Sequence, residues 1–313
     1  MKTIRCEMTL CMPDSELLAL FREEFNEDLE TREKYLEHMK DWLRQQPHLP
    51  KEWGDVPLLN FLRCCNFSLE KTKMKIDKYF TVKAALPEFF KDWDIKRPEL
   101  VAVTEAGQAC ALPNLTPEGR RVMVLRGYTK NMKTPNVVHF IRIALMFGDI
   151  RINEELHGVT GDVVIFDASV LTAGHFSRAA NPVLLKKFLL CVRALPVRVK
   201  EIHVVNAVSL VDVVVNWIMM FVKEKYRKLL YVHSSVETLQ NYIPTYVLPE
   251  EYGGTAGSLE DFKREWIRKL DSYTDWFKEH ENFKADESKR PGKPTNYDEL
   301  FGLDGSFRQL TID

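Results

Sequence analysis

An α/β fold, with a mostly parallel sheet, helical crossovers and an all-helical unit ahead of it, is the fold class that this 313-residue sequence predicts. Three observations carry the prediction. Residues 13–86 space their apolar side chains at helical intervals and contain no strand-like run. From residue 121 onward, short β-branched runs alternate with helical patterns, the order that a parallel sheet with crossovers produces. A segment at 209–222 plots as a helix that is apolar on nearly every side, and such a helix must be buried over most of its surface.

The elements follow in order. Pro13-Asp14-Ser15 opens a helix with Asp14 or Ser15 as N-cap. Leu17, Leu20, Phe21, Phe25, Leu29, Tyr35, Leu36, Met39 and Leu43 supply its apolar positions as far as about Gln46, with room for a break, and Pro47 and Pro50 end it. A short helix at 56–65 carries Leu58, Leu59, Phe61 and Leu62. Ser68 caps the next, 69–86, whose core face holds Ile76, Tyr79 and Phe80; Pro87 closes it. After Pro98 the pattern changes. Residues 121–128 read as a strand, 135–156 as a helix, and 162–168 as a strand buried on both faces. Asn181-Pro182 is an N-cap followed by proline at the first helical position, starting a helix that stops at Pro196. A buried strand at 201–206, the apolar helix, a short strand near 230–233 and a helix at 235–242 complete the alternation. Ser258 and Asp261 form a capping box for a last helix lined by Leu259, Phe262, Trp266, Leu270, Tyr273 and Phe277. The expected boundaries are a helical unit at 1–95, a sheet unit with its C-terminal helix at 96–283, and a tail at 284–313.

Composition narrows the function. A net charge of −1 argues against nucleic acid as a general partner. Charge is uneven along the chain: residues 14–46 hold ten acids against five bases, whereas 186–228 hold nine bases against three acids. A basic belt on a near-neutral protein suits a local anionic partner such as a lipid headgroup. The six cysteines form no C-x-x-C, and the eight histidines show no paired spacing, so neither a metal nor a redox cofactor is expected. The N-terminus lacks the apolar run of a signal peptide, which leads to the expectation of a reduced, cytoplasmic protein that meets membranes only transiently. None of G-x-S-x-G, G-x-x-x-x-G-K-[ST] or G-x-G-x-x-G occurs. Asp167, Ser169 and His175 resemble a hydrolase fragment only loosely, and a strand-end Asp is ordinary turn chemistry.

The helix at 209–222 has four readings. A membrane span meets Asp212 at its centre, a cost of about 2.5–3.5 kcal/mol on insertion scales. A plain core helix and an oligomer interface also fit the periodicity. The fourth is a lid with one face on an apolar cavity, favoured by the basic run Lys223, Lys225, Arg227 and Lys228 directly after it.

Four motifs in sequence carry a resemblance. P-L-L-N-F-L-R-C-C-N-F-S-L-E-K-T-K at 57–73 is similar to the signature of the helical unit that precedes a CRAL-TRIO lipid-binding domain. G-D-V-V-I-F-D-A-S at 161–169, L-P-V-R-V-K-E-I-H-V-V-N at 195–206 and L-P-E-E-Y-G-G at 248–254 resemble successive hallmarks of that domain, in the branch of the tocopherol and retinaldehyde carriers. The resemblance spans residues 50–275. It implies a non-catalytic carrier that holds one hydrophobic molecule, such as a tocopherol, retinoid or isoprenoid, between the sheet and a movable helix. It also implies release at phosphoinositide-containing membranes. The implied cavity walls are Ile141, Ala144, Leu145, Gly148, Ile165, Phe188, Cys191, Ile202, Val204, Val214, Ile218 and Phe221. Ala144 and Gly148 stand where that branch has small polar residues, which makes the pocket more apolar. Arg198, Lys200, Lys225 and Arg227 are the implied phosphoinositide ligands, although Cys65 and Leu229 replace basic residues of the family pattern. A lipid-sensing or protein-binding scaffold, and a hydrolase on an α/β sheet, are the alternative functions.

Overall fold

The computed structural model describes residues 10–127, 136–170, 172, 181–207, 212, 215–216 and 224–297. Helix α1 (Ser15–Phe25) begins where Asp14 accepts a hydrogen bond from the Leu17 amide and ends at Asn26, whose φ of 55° is left-handed. The expected long helix therefore breaks here, and α2 (Arg32–Gln45) resumes it, burying Leu36, Met39 and Leu43. Helices α3 (Asp55–Cys64) and α4 (Leu69–Ala85) are joined through Asn66 and Phe67, both at positive φ. Trp53 stacks on Tyr79 at 5.6 Å and also meets Phe61 and Phe80, so the apolar faces of α3 and α4 share one aromatic cluster.

Three elements were not expected from sequence: the short α5 (Pro87–Phe90), α6 (Pro98–Ala106) and strand β1 (Gly107–Leu115). β1 is an antiparallel edge strand with a register shift between Ala111 and Leu115, around Pro113. Proline cannot donate to a ladder and is confined to edges and bulges, so a strand containing it reads poorly from sequence.

The sheet has the order β1-β2-β3-β4-β5. β2 (Arg120–Gly127), β3 (Gly161–Asp167), β4 (Val199–Val205) and β5 (Leu230–Val232) run parallel. α7 (Val137–Glu154) crosses from β2 to β3, and α8 (Pro182–Ala194) from β3 to β4. The expected cap at Asn181 forms: its Oδ1 accepts from the amides of Val183 and Leu184. Right-handed crossovers that advance one strand at a time place both helices on the same face. The helix expected at 235–242 is a 3-10 helix, Val236–Asn241. The expected last helix is divided at Tyr273 into α9 (Leu259–Ser272) and α10 (Thr274–His280), with Ser258 accepting from the Asp261 amide as its cap.

The chain then turns back. The Ala285 amide donates to the Phe80 carbonyl, the Asp286 amide to the His48 carbonyl, and Arg290 grips Asp77 with two hydrogen bonds of 2.7 and 2.9 Å. One buried apolar cluster runs from Leu10 to Ala285 across the boundary expected near residue 95. Polar ties cross it as well: Tyr79 and Lys83 on α4 both bind Asp149 of α7, and Asn60 donates to the Ile152 carbonyl.

Candidate functional site

Side chains of paired residues in a parallel sheet point to the same face and alternate along each strand. The register therefore sorts the sheet. Met123, Val164, Ile202 and Leu230 lie across one face, followed by Leu125, Phe166, Val204 and Val232. Val122, Val124, Val163, Ile165 and His203 lie on the other. Arg151 of α7 reaches Met123 Sδ at 3.7 Å, so the first set faces the crossover helices. The second face is sealed: Val122, Val124, Val163 and Ile165 are at most 1% exposed. On the first face Met123, Leu125, Val164, Phe166, Ile202 and Leu230 are only half-buried, and Val232 is 41% exposed.

The sequence-derived pocket residues divide against this frame. Ile202 and Val204 stand on the helix-facing side, Ile202 half-buried and Val204 fully buried. Ile165 pairs with His203 and points to the opposite, sealed face; Val164 and Phe166 are the β3 residues that share a face with Ile202 and Val204. Reading β3 by itself missed this, because V-V-I-F is apolar on both faces and only the register assigns a side. On α7, Ile141 and Leu145 are buried in the core, while Ala144 and Gly148 are half-buried. A Cβ on Gly148 would sit 3.2 Å from Leu195, so Gly148 admits close packing of the residue that follows α8. On α8, Phe188 is half-buried and Cys191 buried. Val214, Ile218 and Phe221 lie outside the described residues. Near them, Asp212 and Asn216 are helical and exposed and Val215 is half-buried, which agrees with a narrow polar stripe on the outer side. Two crevices, of about 40 and 50 Å³, are lined by described residues, and both are far below the ~300 Å³ of a small-molecule site.

The basic residues separate into two groups. Arg198 is spent on the joint between the units: it donates to the Arg63 and Cys64 carbonyls at the end of α3, bonds Asn66, and lies over the Phe25 ring. Lys200 pairs with Glu24 at 3.3 Å. The 3-10 helix Glu224–Leu229, which carries Lys225 and Arg227, leads into β5. Because β4 and β5 are parallel, it lies at the same amino-terminal edge as Lys200, and Arg227 and Lys228 are exposed there.

The motifs acquire structural reasons. Arg63 is 4% exposed; it clamps Glu27 through two hydrogen bonds of 2.8 and 2.9 Å and donates to the Leu156 carbonyl, tying three segments together. Asp167 is buried with both oxygens engaged, by the Ser169 amide and Asn206 on one, and by Tyr252 and Arg126 on the other. It anchors the 248–254 motif to the carboxyl edge of the sheet. Burial beside that carboxylate pushes the Tyr252 hydroxyl up. In the motif itself, a Cβ on Gly254 would lie 1.9 Å from the Leu248 carbonyl oxygen, so only glycine fits. Among the described residues no group of His, Cys, Asp or Glu is arranged to hold a metal, and no helix is long and apolar enough to cross a membrane.

Comparison with known proteins agrees with this architecture. Residues 28–100 match the Pinta-like UBA domain, and residues 105–254 match the CRAL/TRIO domain. The human alpha-tocopherol transfer protein-like protein is 29% identical over 257 residues, covering 80% of this chain and 73% of that protein. Human clavesin-2 is 26% identical over 241 residues, covering 76% and 74%, and Xenopus laevis clavesin-1 is 23% identical over 236 residues, covering 75% and 71%. A five-stranded sheet with same-face crossovers, closed by the Leu248–Gly254 segment and matched over residues 105–254, gives this chain a CRAL/TRIO domain, similar to that of the alpha-tocopherol transfer protein-like relatives.

Proposed function

We propose that the protein is a non-catalytic carrier of one hydrophobic small molecule, held against the helix-facing side of the sheet beneath the segment 209–222. The observation that carries the reading is the asymmetry of the sheet. Its far face is sealed, while Met123, Leu125, Val164, Phe166, Ile202 and Leu230 form an apolar floor that stays half-open. Apolar surface of that kind is unfavourable in water and marks a place for a ligand or a moving cover. The ligand class is that of tocopherols, retinoids and isoprenoids: extended, almost wholly apolar molecules matching a floor without charged side chains. Ala144, Phe188 and the outlying Val214, Ile218 and Phe221 complete the proposed walls. Native mass spectrometry after mild purification tests this. One lipid per chain is expected, and a chain that neither retains nor takes up any hydrophobic molecule overturns it.

Release at an anionic membrane is the second part of the proposal. It is supported by Lys200, Arg227 and Lys228 on one sheet edge at the end of the lid segment, with Lys225 in the same 3-10 helix. Each such residue contributes about 1 kcal/mol at an anionic surface. Arg198 positions the units and is not expected to touch a headgroup. In liposome co-sedimentation, replacing Lys200, Arg227 and Lys228 with Ala should abolish phosphoinositide-selective binding. Binding that is indifferent to headgroup and to these substitutions refutes this part.

A further inference from the structure

Helices α4 and α8 pack side by side, and their shared outer side carries cations that the edge of Lys200, Arg227 and Lys228 does not include. On α4, Lys71, Lys75 and Lys78 recur at i, i+4 and i+7 and form one stripe; Lys71 is exposed and the other two are half-buried. On α8, Lys186 and Arg193 lie two turns apart on one outer face, and both are exposed. The two rows meet where the Lys75 ammonium donates to the Arg193 carbonyl at 3.0 Å. The helices run antiparallel, because Lys187, earlier in α8, pairs at 2.7 Å with Glu88, which follows α4.

Among the described residues no carboxylate pairs with Lys71, Lys75, Lys78, Lys186 or Arg193. Helix α8 contains no acid. Both acids of α4 are committed elsewhere: Glu70 to Lys73 at 2.9 Å and Asp77 to Arg290 at 2.7 Å. The like charges oppose one another, and burial, then Arg193 and Lys75, lowers Lys78 from its ordinary value. Helix dipoles do not account for the set. They favour Arg193 in the last turn of α8 but oppose Lys71 in the first turn of α4. Apolar side chains border these cations. Met74, between Lys71 and Lys78 on α4, is 74% exposed, more than any other large apolar side chain among the described residues. Val183, one turn before Lys186, is 40% exposed. Cations beside outward apolar side chains suit the boundary of an anionic bilayer, with charge for the headgroups and apolar surface for the acyl region. A soluble polyanion would meet the charges and leave Met74 and Val183 in water.

We propose that the α4–α8 seam is a second membrane-docking face, one that reads the negative charge of a bilayer and not the identity of a headgroup. Seven residues of helix separate Lys71 from Lys78, and Lys186 from Arg193, about 10 Å along each axis. Charges spread over that distance match a charged surface, whereas a single headgroup needs them to converge. The proposal rests on the reading of the protein as a carrier that unloads at a membrane. It gives the seam the task of holding the chain on any anionic bilayer, and leaves headgroup selection to Lys200, Arg227 and Lys228.

Vesicle co-sedimentation of the full chain tests this with three compositions: phosphatidylcholine alone, phosphatidylcholine with phosphatidylserine, and the second with added phosphoinositide. Binding to the phosphatidylserine vesicles is expected, and salt should weaken it. A basic residue at an anionic surface is worth about fivefold, so replacing the exposed Lys71, Lys186 and Arg193 with Gln should lower that binding by about 100-fold. The extra gain from phosphoinositide should survive in this variant and disappear when Lys200, Arg227 and Lys228 are replaced, so the seam and the edge fail separately. Because the seam variant removes repulsion, its thermal midpoint should equal or exceed that of wild type. Met74→Asp should also weaken binding to phosphatidylserine vesicles. Undiminished binding by the seam variant overturns the proposal. So does binding that Met74→Asp leaves unchanged and soluble polyglutamate abolishes, since that result makes the seam a docking face for an acidic protein.

Discussion

Two side-chain groups show how single residues hold this molecule. Arg63 and Glu27 form a buried ion pair, each side chain 4% exposed. Removing one member of such a pair strands the other, so Arg63→Ala should cost about 3–5 kcal/mol in urea unfolding. The double substitution Arg63→Met with Glu27→Leu should recover at least half of that, because the desolvation cost disappears with both charges. The second group is a relay. His203 Nε2 lies 3.0 Å from Glu201, His203 Nδ1 2.8 Å from His233 Nε2, and His233 Nδ1 2.7 Å from the Thr238 hydroxyl. Arg120 closes the other end on Glu201, and Tyr231 and Tyr242 pack on the His203 ring. With Glu201 ionised, the neutral arrangement has His203 donating to Glu201 and His233 donating to His203, which leaves His233 Nδ1 and the Ser235 carbonyl to share the one proton of the Thr238 hydroxyl. Burial, then the neighbouring His203, pushes His233 down to about 4, and burial lowers His203 despite Glu201. Histidines with depressed folded values bind more protons when unfolded, so stability rises with pH through this window. The expected outcome is a thermal midpoint that is flat above the ordinary histidine range and falls as pH drops from about 6.5 toward 4. His233→Asn should flatten that slope, and a slope unchanged by the substitution would assign it to other groups.

At the scale of elements, the strap from Ala285 to Arg290 closes the chain onto its beginning. Arg290 binds both Asp77 oxygens, Glu287 and the Thr81 hydroxyl; Asp77 and Glu287 hold its guanidinium above its ordinary value, while Arg290, Thr81 and His48 hold the Asp77 carboxyl below its own against burial. Charge-assisted hydrogen bonds are worth about 1.5–3 kcal/mol when half-buried. Arg290→Ala should therefore lower stability by roughly that amount and expose the strap to protease before the sheet. Cleavage rates equal to wild type would show that the backbone bonds to Phe80 and His48 hold it unaided. The strap's partner was invisible in the sequence: S-K-R-P-G-K-P reads as a loop or an ordered tail packed by Tyr297, Leu300 and Phe301, and nothing local to it says that Asp77 waits more than two hundred residues away. β1 was missed for the opposite reason, a local pattern too weak to read, whereas α8 was legible because Asn181-Pro182 sets its own start.

Among the described residues one buried apolar cluster spans the two units expected to meet near residue 95, and Lys83 and Asp149 form a buried pair across that boundary. Calorimetry should then give a single unfolding transition for the full chain. Two resolved transitions, one of them belonging to residues 1–95, would show that the helical unit unfolds on its own.

The sequence by itself determined the longer helices, the parallel strands and the resemblance to a CRAL/TRIO domain, because periodicity, caps and short motifs are local and each states its own geometry. It also marked Ile202 and Val204 for one face, since alternation within a strand is local. Which face β3 shows to them was decided only by the register between strands. That pairing put Ile165 on the sealed side and brought Val164 and Phe166 to the open one. The same holds for charge: Arg198 looks like a free base in sequence, but folding sets the terminal carbonyls of α3 against it. Long-range pairing fixes partners, and a side chain's partner, more than its type, decides whether it binds a ligand or the rest of its own chain.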